Sequence, residues 1–118
     1  MNLSLATKLC RIIDGDTVEV EISTKVKVRL LDCWCPEMRA VGGPEAKQFV
    51  EQVLYGKEQV TLNVPLEHVA NISNLFTFGR LLAHIGFIDT DGVTKDLSEE
   101  IIKAGHGKAI KTMLPINL

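Results

Sequence analysis

No excess of positive charge marks this chain: 13 Lys and Arg stand against 15 Asp and Glu, for a formal net charge of −2. A protein that grips a polyanion over a broad face usually shows a basic excess, so any such footprint here must be local. No apolar run approaches the roughly 18 residues that cross a bilayer as a helix. Lys8 and Arg11 interrupt the opening segment, which therefore lacks a signal-peptide core. Cysteine is scarce and odd in number, being confined to Cys10, Cys33 and Cys35. The last two lie too close along one strand for an easy bridge. Reduced thiols without a leader point to a cytoplasmic protein. Internal repeats and low-complexity segments are missing too. At 118 residues the chain is expected to form one domain, residues 1–118, with a single core.

What is present is alternation. An apolar run over residues 8–13 stops at Asp14-Gly15-Asp16. Val18, Val20 and Ile22 then alternate with Glu19 and Glu21, and Val26, Val28 and Leu30 with Lys25, Lys27 and Arg29. Period-two patterning of this kind predicts two half-buried strands. Their acidic and basic positions face each other in a hairpin, with Arg29 on the polar side. Pro36 ends the second strand. Pro44 opens a helix carrying Ala46, Phe49, Val50, Val53 and Leu54 at helical spacing, with Gly56 as its stop. Val60, Leu62 and Val64 predict a fourth strand closed by Pro65, and Gly79 to Ile88 a fifth. Residues 66–77 show no clear period and are read as a loop. Asp96 with Glu99 forms a capping-box pattern ahead of Leu97, Ile101 and Ile102, a second helix ending at Gly105. The expected fold is mainly β with helices (α+β). It is a five-stranded OB-type barrel with one helix after the third strand and another after the fifth.

The chemistry-bearing residues gather at one rim of that barrel. Asp14 and Asp16 flank a glycine at the mouth of the second strand, Arg29 lies near the end of the third, and Glu37 follows Pro36. An arginine, a glutamate and one or two aspartates around a small space can bind a divalent metal and a phosphate together. Charge elsewhere is uneven. Residues 51–100 carry three Lys or Arg against eight Asp or Glu, whereas Lys103, Lys108 and Lys111 occur in a tail with no acid.

Taken in order, Ile13-Asp14-Gly15-Asp16-Thr17, Val28-Arg29-Leu30-Leu31 with Pro36-Glu37, Gly43-Pro44-Glu45-Ala46, Phe78-Gly79-Arg80-Leu81-Leu82-Ala83 and Ser98 to Gly105 resemble the motifs of the staphylococcal nuclease (thermonuclease) family. The resemblance runs from about residue 9 to about residue 110 and lacks that family's third, C-terminal helix. It implies a metal-dependent phosphodiesterase, an endonuclease acting on DNA and RNA with low sequence specificity. The implied metal is Ca²⁺, with Mg²⁺ or Mn²⁺ as substitutes. It further implies Asp16 as a metal ligand together with the backbone carbonyl of Cys35, Glu37 as the group that activates water, and Arg29 and Arg80 as the phosphate clamp. Asp14 and Asp32 are further metal candidates. Trp34, Phe78 and Lys111 fall at substrate-side positions. Three departures stand out: the family's second metal aspartate is Trp34, its tyrosine before Gly-Arg is Phe78, and two tail tyrosines are Lys111 and Met113.

Plainer readings stand beside these. Asp14-Gly15-Asp16 alone is a common turn, and Arg29 on a polar strand face could simply pair with Glu19 or Glu21. Cys33-x-Cys35 with His68, His84 or His106 matches no standard zinc spacing. Trp34 is either a base-stacking platform on a barrel rim or packing. The alternative to a nuclease is a catalytically weak OB-fold module that binds nucleic acid or a protein partner. The expected partner is DNA or RNA, not a membrane, and a monomer is expected ahead of a homodimer.

Overall fold

The computed structural model describes residues 3–21, 25–65, 76–77 and 80–111. Five strands make the barrel: β1 (Leu3–Asp14), β2 (Thr17–Glu21), β3 (Lys25–Leu30), and, after β4 (Cys33–Trp34) and helix α1 (Gly43–Val53), β5 (Gln59–Val64) and, past the short β6 (Phe76–Thr77), β7 (Arg80–Ile88). β8 (Thr94–Asp96), α2 (Leu97–Lys103) and β9 (Lys108–Ala109) follow. β1 pairs antiparallel with both β2 and β5, β2 with β3, and β5 with β7. A parallel β3–β7 pairing closes the ring. The result is a closed, mixed, five-stranded barrel with two helices, the OB-like α+β architecture expected from the sequence.

Alternation drives the closure. Val18, Val20, Val28, Leu30, Leu62, Val64, Leu81 and Ile85 turn inward and are almost wholly buried. Each contributes about 1.5–3 kcal/mol by leaving water. The outward residues of the hairpin pair by charge: Glu19 lies opposite Lys27 and Glu21 opposite Lys25. Arg29 lies opposite Thr17 rather than an acid. α1 buries Ala46 and Val50, and α2 buries Leu97 and Ile101. Asp96 caps α2 by accepting the Glu99 N–H at 3.1 Å, as the capping pattern predicts. Gly56 and Gly105 end the two helical segments in the left-handed region, at φ 75° and 82°.

Five differences separate the structure from the sequence reading. The first is that β3 ends at Leu30 rather than at Pro36, because the left-handed Asp32 at φ 60° turns the chain. β1 begins at Leu3, not residue 8, because its first half pairs β5 (Leu3↔Val64 to Lys8↔Gln59) while its second half pairs β2. Part of the loop expected over residues 66–77 is strand: Phe76 and Thr77 pair with Leu81 and Arg80. The rest of that loop lies outside the described residues. Thr94–Asp96 adds a strand beside β7, from Gly86↔Asp96 to Ile88↔Thr94. Beyond α2, Lys108 and Ala109 turn back to pair with Trp34 and Cys33. No helix among the described residues is long and apolar enough to cross a membrane.

Candidate active site

The turn from β1 to β2 sets the first wall of the site. A Cβ built on Gly15 would stand 2.8 Å from Ala46 Cβ and 3.0 Å from Cys35 Cβ, so only glycine lets this turn seat beneath α1 and against the segment after β4. Asp14 and Asp16 flank that glycine. Asp16 is 8% exposed, and its Oδ1 accepts the Thr17 hydroxyl at 3.1 Å. Its Oδ2 accepts the Cys35 N–H at 3.1 Å and lies 3.5 Å from Arg29 Nη1. Asp14 Oδ1 accepts the Asp16 N–H at 3.3 Å. Burial pushes the Asp16 carboxyl above its ordinary value of 3.8, against the pull of Arg29 and with a further push from Asp14.

Arg29 is held from behind. Its Nη1 donates to the Leu30 carbonyl at 2.8 Å and to the Cys33 carbonyl at 2.9 Å. A guanidinium carries five N–H groups in a planar fork, so these bonds orient it while leaving edge for an incoming anion. Glu37 follows Pro36 and is exposed. Its carbonyl accepts the Ala40 N–H at 2.9 Å, and the Ala40 carbonyl accepts the Gly43 N–H at 3.1 Å. A Cβ on Gly43 would run into the Glu37 carbonyl. The start of α1 is thus packed directly on the backbone that carries Glu37.

These groups surround one cleft of about 430 Å³, lined by Ile13, Asp14, Asp16, Arg29, Trp34, Cys35, Glu37, Met38, Arg39 and Arg80. Such a volume suits a ligand of nucleotide size. The sequence-predicted Asp14, Asp16, Arg29, Glu37 and Arg80 come together there from strands and loops far apart in the chain. Trp34 also lines the cleft, 42% exposed, with Lys108 Nζ 5.6 Å from its ring centroid. That is cation–π distance, and it follows from the β4–β9 pairing.

Other expected site residues are not brought in. Asp32 does not line the cleft. It sits in the turn between β3 and β4 at φ 60°, with Oδ2 3.2 Å from His84 Nε2. In a fully extended strand Asp32 would share a side with Trp34, two residues on, but a left-handed residue breaks that alternation. Lys111 is exposed and also outside the cleft lining. Phe78 lies outside the described residues. Arg39 is a lining residue that the sequence reading left in a loop; its one signal was a cation two residues beyond Glu37.

Cys33 and Cys35 are buried, with sulfurs 4.0 Å apart and no disulfide. Their mutual hydrogen bond draws the Cys33 thiol down and pushes Cys35 far up. His106 lies against Phe49, ring centroids 4.9 Å apart, and His84 faces Asp32. Among the described residues no group of three or more His, Cys, Asp and Glu side chains is arranged to hold a metal.

The donor chemistry still fits one mode of cation binding. The cleft sets three arginines against three carboxylates, so its lining brings a phosphate no formal excess of positive charge. Asp16 is a buried carboxylate beside a second one; its Oδ1 carries one described bond, whereas its Oδ2 takes the Cys35 N–H and faces Arg29. One or two carboxylates, completed by water and by the phosphate itself, is how a hard, strongly hydrated cation such as Mg²⁺ is commonly held. Among the described residues the cleft offers no all-protein cage of six to eight oxygens. Compared with protein-family models and with curated protein sequences, the chain matches none.

Proposed function

We propose that this cleft hydrolyses phosphodiester bonds in DNA or RNA with a divalent cation and little sequence specificity. One observation carries the reading: Asp16, Arg29, Glu37 and Arg80 arrive on separate elements and face the same 430 Å³ space. A binding module needs arginines there, but has no use for an exposed carboxylate on a backbone packed against the start of a helix.

In this reading Arg29 and Arg80 take the non-bridging oxygens of the scissile phosphate. Guanidinium forks match that geometry better than an ammonium does. Arg29 is preorganised by its two carbonyl bonds, so little entropy is lost when it engages. Glu37 accepts a proton from the water that attacks phosphorus. The P–O bond to the leaving oxygen breaks as the new P–O bond forms. A cation held by Asp16, with Asp14 beside it and the Cys35 carbonyl available, supplies positive charge against the phosphate oxygens when bound. Trp34 offers a π-face to a neighbouring base, and Lys108 behind it keeps cationic charge close to the strand.

A second reading rests on Trp34 alone. An indole cannot ligate a hard cation, and an exposed aromatic beside arginines is a sufficient platform for single strands without chemistry. The test is cleavage of single- and double-stranded DNA and RNA with Ca²⁺, Mg²⁺, Mn²⁺ or EDTA. Cutting that needs a divalent cation supports the nuclease. Binding to single strands without cutting under any condition overturns it in favour of the binding module.

A further inference from the structure

The cluster formed by Asp32, His84 and Asp96 lies outside the cleft yet is joined to it through the backbone. His84 lies on β7, with Nε2 3.2 Å from Asp32 Oδ2. Its Nδ1 lies 3.1 Å from Asp96 Oδ1, an ion-pair contact bent away from a linear hydrogen bond. Asp96 is also the cap of α2. The imidazole therefore bridges the β3–β4 turn to the start of a helix. That turn, Leu31 and Asp32, is bounded by Leu30 and Cys33, whose carbonyls hold Arg29 Nη1. Asp32 also occupies the left-handed region, at φ 60°, a conformation most side chains resist.

The geometry points to His84 as a positioning residue for the cleft: by bridging Asp32 and Asp96 it fixes the turn whose carbonyls aim Arg29 and whose next strand carries Trp34. The inference rests on the proposed use of Arg29 as a phosphate clamp. Facing the imidazole, the β3–β4 turn offers Asp32 and the β8–α2 junction offers Asp96. The strand paired with β7 at this point, β5, offers neutral Asn63. Lys95 on β8 is turned to Asp89 and Asp91, at 2.6 and 3.5 Å. Glu99 and Glu100 of α2 lie around the groove beside Asp96. The surroundings are acidic, and they hold the imidazole above its ordinary value of 6.5, with Asp96 the larger influence and Asp32 the second. The imidazolium attracts both carboxylates by charge, whereas the neutral ring keeps one N–H and carries no charge. Losing the proton therefore weakens the bridge between Asp32 and Asp96.

Other contacts also anchor the turn. The Leu31 N–H reaches the Ala83 carbonyl at 3.1 Å, and Ser98 Oγ donates to the Leu31 carbonyl at 2.9 Å. A readout is needed that simple stability would not move. The experiment is an NMR titration from pH 5 to 9, following the His84 ring carbons, the Trp34 indole N–H and the Arg29 side-chain N–H, with no substrate present. The expected result is that the Trp34 and Arg29 signals shift with the midpoint of His84, and that His84→Gln abolishes both shifts. Asp32→Asn is the second variant, because asparagine tolerates the left-handed region. It should lower the His84 midpoint while the fold is kept. A titrating His84 with flat Trp34 and Arg29 signals overturns the proposal, as does a His84 midpoint unmoved in Asp32→Asn. Coupled shifts in a protein that cuts nothing would leave the positioning intact and reject the nuclease. Cutting without coupled shifts would do the reverse.

Discussion

Arg29 donates to the Cys33 carbonyl at 2.9 Å, while the N–H of Cys35, two residues on, holds Asp16 Oδ2 at 3.1 Å. One short stretch of backbone thus aims both a cation and a carboxylate into the cleft. Arg29 and Asp16 approach to 3.5 Å across it. The bond network favours arginine over lysine at this position. Arg29→Lys supplies a single point charge that cannot serve two carbonyls and a phosphate together. Cleavage is expected to fall by about 10²–10³ with the thermal midpoint little changed, as read by parallel rate and melting measurements. Equal rates for Lys and Arg would remove the orienting role.

Under the proposed function, Asp16 sets activity against stability. Its carboxyl is raised above 3.8 chiefly by burial. A group with a raised folded-state value favours the protonated native state, so its contribution is lost as pH rises through that value. Asp16→Asn should therefore keep or raise the melting temperature at neutral pH while abolishing cleavage. Divalent cations should raise the melting temperature of the unaltered protein by mass action and leave the variant unmoved. A variant that melts lower, or that keeps its cation response, contradicts this account of Asp16.

Gly43 tests the link from α1 to Glu37. A methyl group there meets the Glu37 carbonyl, so backbone must move. Gly43→Ala is expected to cost about 1–3 kcal/mol, the usual range for overpacking, and to lower the cleavage rate beyond what the stability loss explains. Denaturant unfolding beside initial rates measures both. Unchanged stability would show that the segment adapts freely.

The fold should also carry the signature of His84. Its value is raised above 6.5 in the native protein. The stabilisation is then complete below the unfolded value and is lost as pH rises through the folded one. The stability gap between the unaltered protein and His84→Gln should be widest below about pH 6 and shrink through neutral and mildly alkaline pH. Urea midpoints across that range report it; a gap that widens with pH has the wrong sign.

Much of the barrel was legible because more and less buried residues alternate without exception from Lys25 to Leu30 and from Val60 to Val64, and because Asp96 and Glu99 spell a helix start. The unread parts have no period to read. β4 and β9 are two residues each and owe their pairing to the path of the chain after α2. The first half of β1 hid because one strand serves two neighbours. In the site, Asp16, Arg29, Glu37 and Arg80 were legible only jointly, through the order of their motifs. Asp32 misled because alternation assumes extended backbone, and φ 60° at that residue ends it. Arg39 and His84 lacked any local pattern that separates them from ordinary surface charges.

The role of Glu37 is decided by following binding and cutting in the same samples. Trp34 is the sole tryptophan and lines the cleft, so its fluorescence reports occupancy. A single-stranded oligonucleotide is titrated into the unaltered protein and into Glu37→Gln with Mg²⁺ or Ca²⁺, and products are counted over time. The account predicts matching binding curves and a cleavage rate lower by at least about 10² in the variant. Equal cleavage by both proteins would contradict it and remove Glu37 as the base.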